Sequence, residues 1–260
     1  MLNLPRNVWI LAICLALFMS LSVFIVFVGG ILGNELADSK SLSTLPVAAI
    51  VVGTALSIFP VIRLMSVFGR KTVFLMICIY SIALLGLSAF AIITGSFLIF
   101  CLSSFLLGAT VATMNQFRFA AIESVSEEQR ATATAIVLLG GLVSAYLGPE
   151  VATIGKEIFA INFVGSYMLL GLLFLIAFIL LCFFQPAKKF VEESDQSKRS
   201  LIEIMKQSSF IVAASAATTG YVVMSFVMTA TPISMHVMDG FSLHHTKFII
   251  QSHVIAMFLP

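Results

Sequence analysis

An all-α bundle of membrane-spanning helices is expected from three features of this 260-residue chain. Sixty per cent of its residues are hydrophobic and 10% are charged, against roughly 25% charged in an ordinary soluble domain. A soluble fold needs polar residues to build its exterior, and this chain has too few. Its apolar residues run on without alternating every second position, so barrel strands are a poor alternative. Its cations gather between those runs. The chain reads as an integral membrane protein.

A hydrocarbon core about 30 Å thick needs roughly 20 apolar residues in a helix. Six complete segments meet that demand, at about 8–32, 45–65, 72–94, 96–121, 131–154 and 161–184. A seventh runs from about 208 to 235, and an eighth opens near Thr246 and is still apolar at Pro260. The first run exceeds the 7–15 residues of a signal-peptide core, which favours an uncleaved span. Pro46 and Pro60 are expected near the ends of the second helix, where a missing amide donor costs least. The domains expected are a six-helix bundle over 1–184, a connector over 185–207, and the first helices of an incomplete second bundle over 208–260. The chain is thus expected to be a fragment or a truncated product.

Alternate loops differ sharply in Lys and Arg. One side collects Arg6, Arg63, Arg70, Lys71, Arg118, Arg130, Lys188, Lys189, Lys198, Arg199 and Lys206; the other has Lys40, Lys156 and Lys247. Eleven against three places the N-terminus and the long connector in the cytoplasm. The connector, QPAKKFVEESDQSKRSLIEIMKQ, is the one extended polar stretch and reads as a solvated link with an amphipathic turn at 201–205. Four cysteines, Cys14, Cys78, Cys101 and Cys182, fall in apolar runs without metal-ligand spacing and read as buried thiols.

Gly69, Arg70 and Lys71 form a tight basic turn between the second and third segments, with Arg63 just upstream. Such a turn resists passage through the bilayer and so holds its loop on the cytoplasmic side. Six helices, a cytoplasmic connector and this turn together resemble the major facilitator superfamily of secondary transporters. Gly69, Arg70 and Lys71 match the close of that family's loop signature, while Ile62 stands for its glycine and Ser66 for its aspartate. A second signature lies in GGLVSAYLGPEVAT on helix five. Its Gly148-Pro149 pair resembles the family's antiporter motif, with Ser144, Ala152 and Thr153 small but not glycine. The resemblance implies twelve helices in two halves with a substrate cavity between them. It also implies a gate at Gly69, Arg70 and Lys71, with Glu123, Glu127 and Glu128 as candidate partners for the cations, and favours export over uptake.

Polar groups inside the spans are the candidate substrate or proton sites. Ser104, Gly108, Ala112, Asn115 and Arg118 are spaced to share one face of helix four. That face is either a packing seam or a cavity wall in which Arg118 attracts an anion or pairs with Glu123. Ser215, Thr218, Tyr221, Ser225, Thr229 and His236 line one face of helix seven, as interhelix glue or as cavity wall. Pro232 near its outer end would kink or end the helix. Glu150 is the carboxylate within a spanning run, near the outer end of helix five. It is an interface residue or, with its proton affinity raised by desolvation, the proton-binding group of an antiporter. His253 lies within helix eight and is a structural histidine or a second titrating group. His244 and His245 sit with Asp239 in an outer loop without the composition of a metal site.

The sequence has no GxxxxGK[ST], HExxH or GxSxG and no basic stripe with interleaved aromatics. ATP-driven pumping, enzymatic chemistry and nucleic-acid binding are therefore not expected, and no cofactor or metal is implied. The expectation is a secondary transporter in a bacterial inner membrane, exporting a small organic solute by exchange with protons. The partners implied are that solute, protons and the lipid bilayer. The alternatives are a proton-coupled importer of a metabolite or vitamin-like compound, and a membrane protein that no longer transports.

Overall fold

A computed structural model describes residues 4–186 and 201–258, so most of the expected connector lies outside the described residues. Helices and turns account for the described chain, with no strand among the described residues. Lipid offers no hydrogen bonds, and a helix satisfies its own backbone, so each long apolar run becomes a helix. These are α1 (Arg6–Leu36), α2 (Leu45–Phe68), α3 (Arg70–Thr94), α4 (Phe97–Met114), α5 (Phe117–Ile122), α6 (Arg130–Leu138), α7 (Gly140–Gly155), α8 (Val164–Cys182), α9 (Leu201–Met205), α10 (Ser208–Pro232) and α11 (Leu243–Phe258). Among the described residues seven stretches are long and apolar enough to cross a membrane, counting α4 with α5, α6 with α7, and α10 with the turn that follows it. The amphipathic turn expected at 201–205 is the short helix α9.

Four expectations need correction. The fourth expected helix breaks at Asn115 and Gln116, where the Asn115 amide turns back to donate to its own helix at Val111 O, 3.3 Å away. A side chain that competes for backbone groups in this way weakens a helix interior. The fifth breaks at Leu139, just before Gly140 and Gly141, residues of low helix propensity. Helix α2 runs on to Phe68, which leaves Pro60 inside it rather than near its end. The eighth helix opens at Leu243, with the Ser242 hydroxyl accepting from the His245 amide at 3.3 Å, the usual N-cap arrangement. Lys247 thereby moves from an expected outer loop into a helix, where it is buried.

Helix α1 is the axis of the bundle. It packs on α7 and α8, and α2 lies on α4 while α3 lies on α8. Phe18 of α1 meets Phe117 edge-on at 4.9 Å and Phe174 at 4.8 Å, and Phe74 meets Phe117 at 4.6 Å. This aromatic cluster joins α1, α3, α5 and α8. Hydroxyl pairs pin α3 to α4, Ser81 to Thr110 at 2.7 Å and Ser88 to Ser103 at 2.8 Å. Large apolar side chains such as Phe59, Leu98 and Val67 stay exposed, as a lipid-facing surface requires.

Helices α2 and α4 touch backbone to backbone. A Cβ on Gly53 would lie 1.9 Å from Phe105 O, and one on Gly108 would lie 2.3 Å from the Gly53 carbonyl carbon. Small residues permit such approaches between helices in lipid. At the end of the bundle that carries Arg70, the first and last of α1–α8 are tied together. Arg6 Nη2 donates to Phe183 O at 3.0 Å, Asn7 Nδ2 to Gln185 O at 2.5 Å, and the Gln185 amide returns to Asn7 Oδ1 at 3.2 Å. Lys71 Nζ donates to Cys182 O at 2.6 Å. Arg6 and Lys71 thus satisfy carbonyls that the end of α8 leaves unpaired, and Asn7 holds the chain just past it.

Gly108→Val should force α2 and α4 apart and cost about 1–3 kcal/mol of stability, the usual range for overpacking. Gly86→Ala, inside α3 where an added Cβ meets nothing within 4 Å, should leave stability unchanged or raise it by up to about 1 kcal/mol. Thermal unfolding in detergent micelles measures both.

Candidate functional site

Two constellations of charged side chains stand at opposite ends of the bundle, here named the Arg70 end and the Lys156 end. At the first, Gly69 caps both α2 and α3 at φ 80° and ψ 157°. Nothing crowds an added Cβ there, so the requirement for glycine is conformational. The turn aims Arg70 at the loop after α5. Arg70 Nε donates to Glu123 Oε2 at 2.8 Å and Arg70 Nη2 to Glu123 Oε1 at 2.6 Å, a two-pronged pair. Of the three glutamates offered as partners, Glu123 takes Arg70. Glu127 lies 3.5 Å from Arg130, and Glu128 accepts from Ser126 at 3.4 Å.

That pairing overturns one of the roles open to Arg118, an ion pair with Glu123. Arg118 is exposed and lies over the ring of Phe119 at 4.9 Å. The break at Asn115 also splits the expected stripe. Ser104, Gly108 and Ala112 are buried, whereas Asn115 and Arg118 are exposed. Gly108 lies in the backbone contact with α2, and the Ser104 hydroxyl has no hydrogen-bond partner. Ser66 stands where the resembling signature has an aspartate; its hydroxyl bonds to Arg63 O of its own helix at 2.7 Å.

Helix α7 works on two faces. Gly140, Ser144, Gly148, Ala152 and Gly155 are all buried, four or three residues apart and so on one side. That side meets α1, where a Cβ on Gly148 would lie 2.9 Å from Ser20 O, and α8, where one on Gly155 would lie 2.3 Å from Ser166 Cα. Pro149 sits inside α7 without ending it, and the Thr153 hydroxyl donates to Pro149 O and Glu150 O, both at 3.1 Å. The second face meets α11. Lys247 Nζ donates to Glu150 Oε1 at 2.8 Å, and Gln251 Nε2 lies 3.4 Å from both Glu150 Oε1 and Tyr146 O. The Lys247 and Glu150 side chains are only 11% and 19% exposed.

Lys247 and Gln251 were missed by sequence reasoning, because Lys247 counted as a loop cation. A signal was there: Glu150 closes the fifth apolar run on the same side that Lys247 opens the eighth, so opposite charges share one depth. The remaining candidates are dispersed. Ser225 and Thr229 are half-buried on α10, while Ser215, Thr218 and Tyr221 are exposed on it. His236 Nδ1 bonds Phe241 O at 2.8 Å in the turn after Pro232. The His253 Nε2 atom is buried without a hydrogen-bond partner. His245 bonds Ser242 at 2.9 Å, and no group of metal-ligating side chains occurs among the described residues.

Arg70→Lys keeps the charge but loses the planar fork. A double-mutant cycle of Arg70→Ala with Glu123→Ala in detergent should return a coupling of about 0.2–1 kcal/mol, the range for partly exposed pairs. Arg70→Lys should retain less than half of it.

Comparison with known proteins places this geometry. A family model described as the Major Facilitator Superfamily matches residues 8–259. The chain is 36% identical to a riboflavin transporter, RfnT, of Brucella anthropi, over 98% of this chain and 65% of the relative. It is also 28% and 27% identical to the uncharacterized MFS-type transporters YddS and YdeG of Bacillus subtilis. Each of those matches covers 90% of this chain, and 57% and 58% of the relative. The chain therefore spans less than two thirds of the length of the relatives it matches. No solved structure matches it significantly. The chain belongs to the Major Facilitator Superfamily, an integral membrane transporter family rather than an enzyme family.

Proposed function

We propose that this member of the Major Facilitator Superfamily serves the transport of riboflavin or a similar flat, polar-rimmed vitamin across a bacterial inner membrane. The 36% identity to a riboflavin transporter over nearly the whole of this chain carries the reading. Uptake is the direction we adopt. A vitamin is a compound that a cell consumes, and the helix-five signature that favours export is incomplete at Ser144, Ala152 and Thr153. Export by proton exchange is the second reading, and the Gly148-Pro149 pair within α7 is the observation in its favour.

Alternating access supplies the mechanism. In this reading the Arg70 end faces the cytoplasm, as the distribution of Lys and Arg suggests. The Arg70–Glu123 pair and the Lys71 bond to α8 then form the inner gate with Gly69. A partly exposed ion pair is worth only about 0.2–1 kcal/mol, which suits a contact that must break in each cycle. Glu150, Ser225, Thr229 and His253 serve as polar groups offered to the solute from α7, α10 and α11.

Two measurements test the reading. In a bacterium that neither makes nor imports riboflavin, expression of the chain should restore growth at low external riboflavin. Everted vesicles under an imposed proton gradient should show whether labelled riboflavin enters or leaves; accumulation inside everted vesicles would replace uptake by export, and no movement in either system would reject the substrate. For orientation, Ser39→Cys and Ser126→Cys are placed singly in a cysteine-less background. An impermeant thiol reagent should label Ser39→Cys in intact cells and reach Ser126→Cys only after permeabilisation.

A further inference from the structure

The end of α8 gathers more positive charge than its surroundings answer. Arg6 Nη2 and Lys71 Nζ donate to the consecutive carbonyls Phe183 O and Cys182 O, so the two cations are held close together. A helix C-terminus carries about half an elementary negative charge, which offsets only part of two full positive ones. Neither cation forms an ion pair with a described residue, and Glu123 is taken by Arg70. Both stand where an apolar run gives way to loop, since the run of α1 opens at Val8, that of α3 at Val73, and α8 ends at Cys182. That is the depth of the lipid headgroups.

A cleft of about 350 Å³ lined by Pro5, Arg6, Asn7 and Gln185 opens there. Apolar surface adjoins it. The Phe183 ring lies 6.0 Å from the Arg6 guanidinium carbon, and Phe183 and Ile176, two turns apart on one face of α8, are both exposed. On α1 no residue from Cys14 to Gly33 is exposed, yet Arg6, Trp9 and Ile13 are, three and four residues apart and so on one face. Helices α10 and α11 are seated elsewhere. They meet α1 at Gly30, toward its far end, and α7 between Gly141 and Glu150.

We propose that Arg6 and Lys71 bind the phosphate of an anionic phospholipid, whose acyl chains lie on Trp9 and Ile13 of α1 and on Ile176 and Phe183 of α8. The phosphodiester supplies the negative charge that the two cations lack. Arg6 and Lys71 each use one donor on α8 and carry others, five N–H groups in all on an arginine and three on a lysine. Their bonds to α8 hold them in place before the lipid arrives, so little freedom is lost on binding. Phosphatidylcholine brings a cation of its own and answers the pair less well. The Trp9 indole suits the same depth, with an apolar body and one N–H to offer to the headgroup. The site is independent of the solute carried.

Trp9 is the chain's single tryptophan, so its fluorescence reports on this site alone. The chain is reconstituted in phosphatidylcholine vesicles that hold a small fraction of either phosphatidylglycerol or phosphatidylcholine with brominated acyl chains, which quench tryptophan on contact. Quenching per brominated lipid should be at least about threefold stronger for phosphatidylglycerol. Arg6→Gln with Lys71→Gln should bring the two lipids to within about twofold of each other, whereas Arg6→Lys should keep most of the preference. Arg118→Gln removes another exposed cation and should leave the preference unchanged. Equal quenching by the two lipids in the parent chain, a result that needs no variant to fold, would overturn the site. So would an equal fall in Arg118→Gln, which would reduce the effect to general surface charge. Loss of the preference on adding excess glycerol 3-phosphate would replace the lipid by a soluble phosphate and overturn it as well.

Discussion

A hydrocarbon environment cannot hydrogen-bond a peptide group, and this constraint governs every level of the structure. It turns each apolar run into a helix and drives hydroxyls to bond to their own helix, as Ser20, Thr54 and Ser81 do to the carbonyls four residues back. It also confines charge to places where a partner or water is at hand. Helices that gain little from burying oil against oil must then associate by close fit. The backbone contact of Gly53 with Gly108 and the small-residue face of α7 supply that fit, and the aromatic cluster around Phe18 fills the space that remains.

Within that frame α7 divides its labour. Its face of small residues commits it to α1 and α8, while Tyr146, Glu150 and Gly141 turn toward α11. One helix thus belongs firmly to the first group of helices and offers a polar, separable surface to the second. The Gly148-Pro149 pair falls between the two roles. Gly148 makes the approach to α1, and Pro149, which has no amide to give, leaves a gap in the helical ladder beside the carboxylate-bearing residue that follows it.

The positions of the spans were legible in the sequence because twenty consecutive apolar residues admit one structure in lipid. The basic turn was legible for a similar reason, since a glycine between two long runs and followed by two cations leaves few other conformations. Glu123 was named as one of three partners for Arg70, but only the folded loop after α5 distinguished it from Glu127 and Glu128. The stripe on helix four was misread because a strict periodicity assumes an unbroken helix, and Asn115 breaks it. Lys247 was misread because a charge at the edge of an apolar run was assigned to the loop. Whether such a residue faces water or turns inward depends on what stands beside it, and α11 finds Glu150 there.

The bonds from Arg6 to Phe183 O and from Asn7 to Gln185 O tie the start of α1 to the chain that follows α8. A tied pair of ends transmits torque where loose ends would slip. A pull on the chain that leaves at Gln185 is thus delivered to the start of α1, the helix that packs on both α7 and α8.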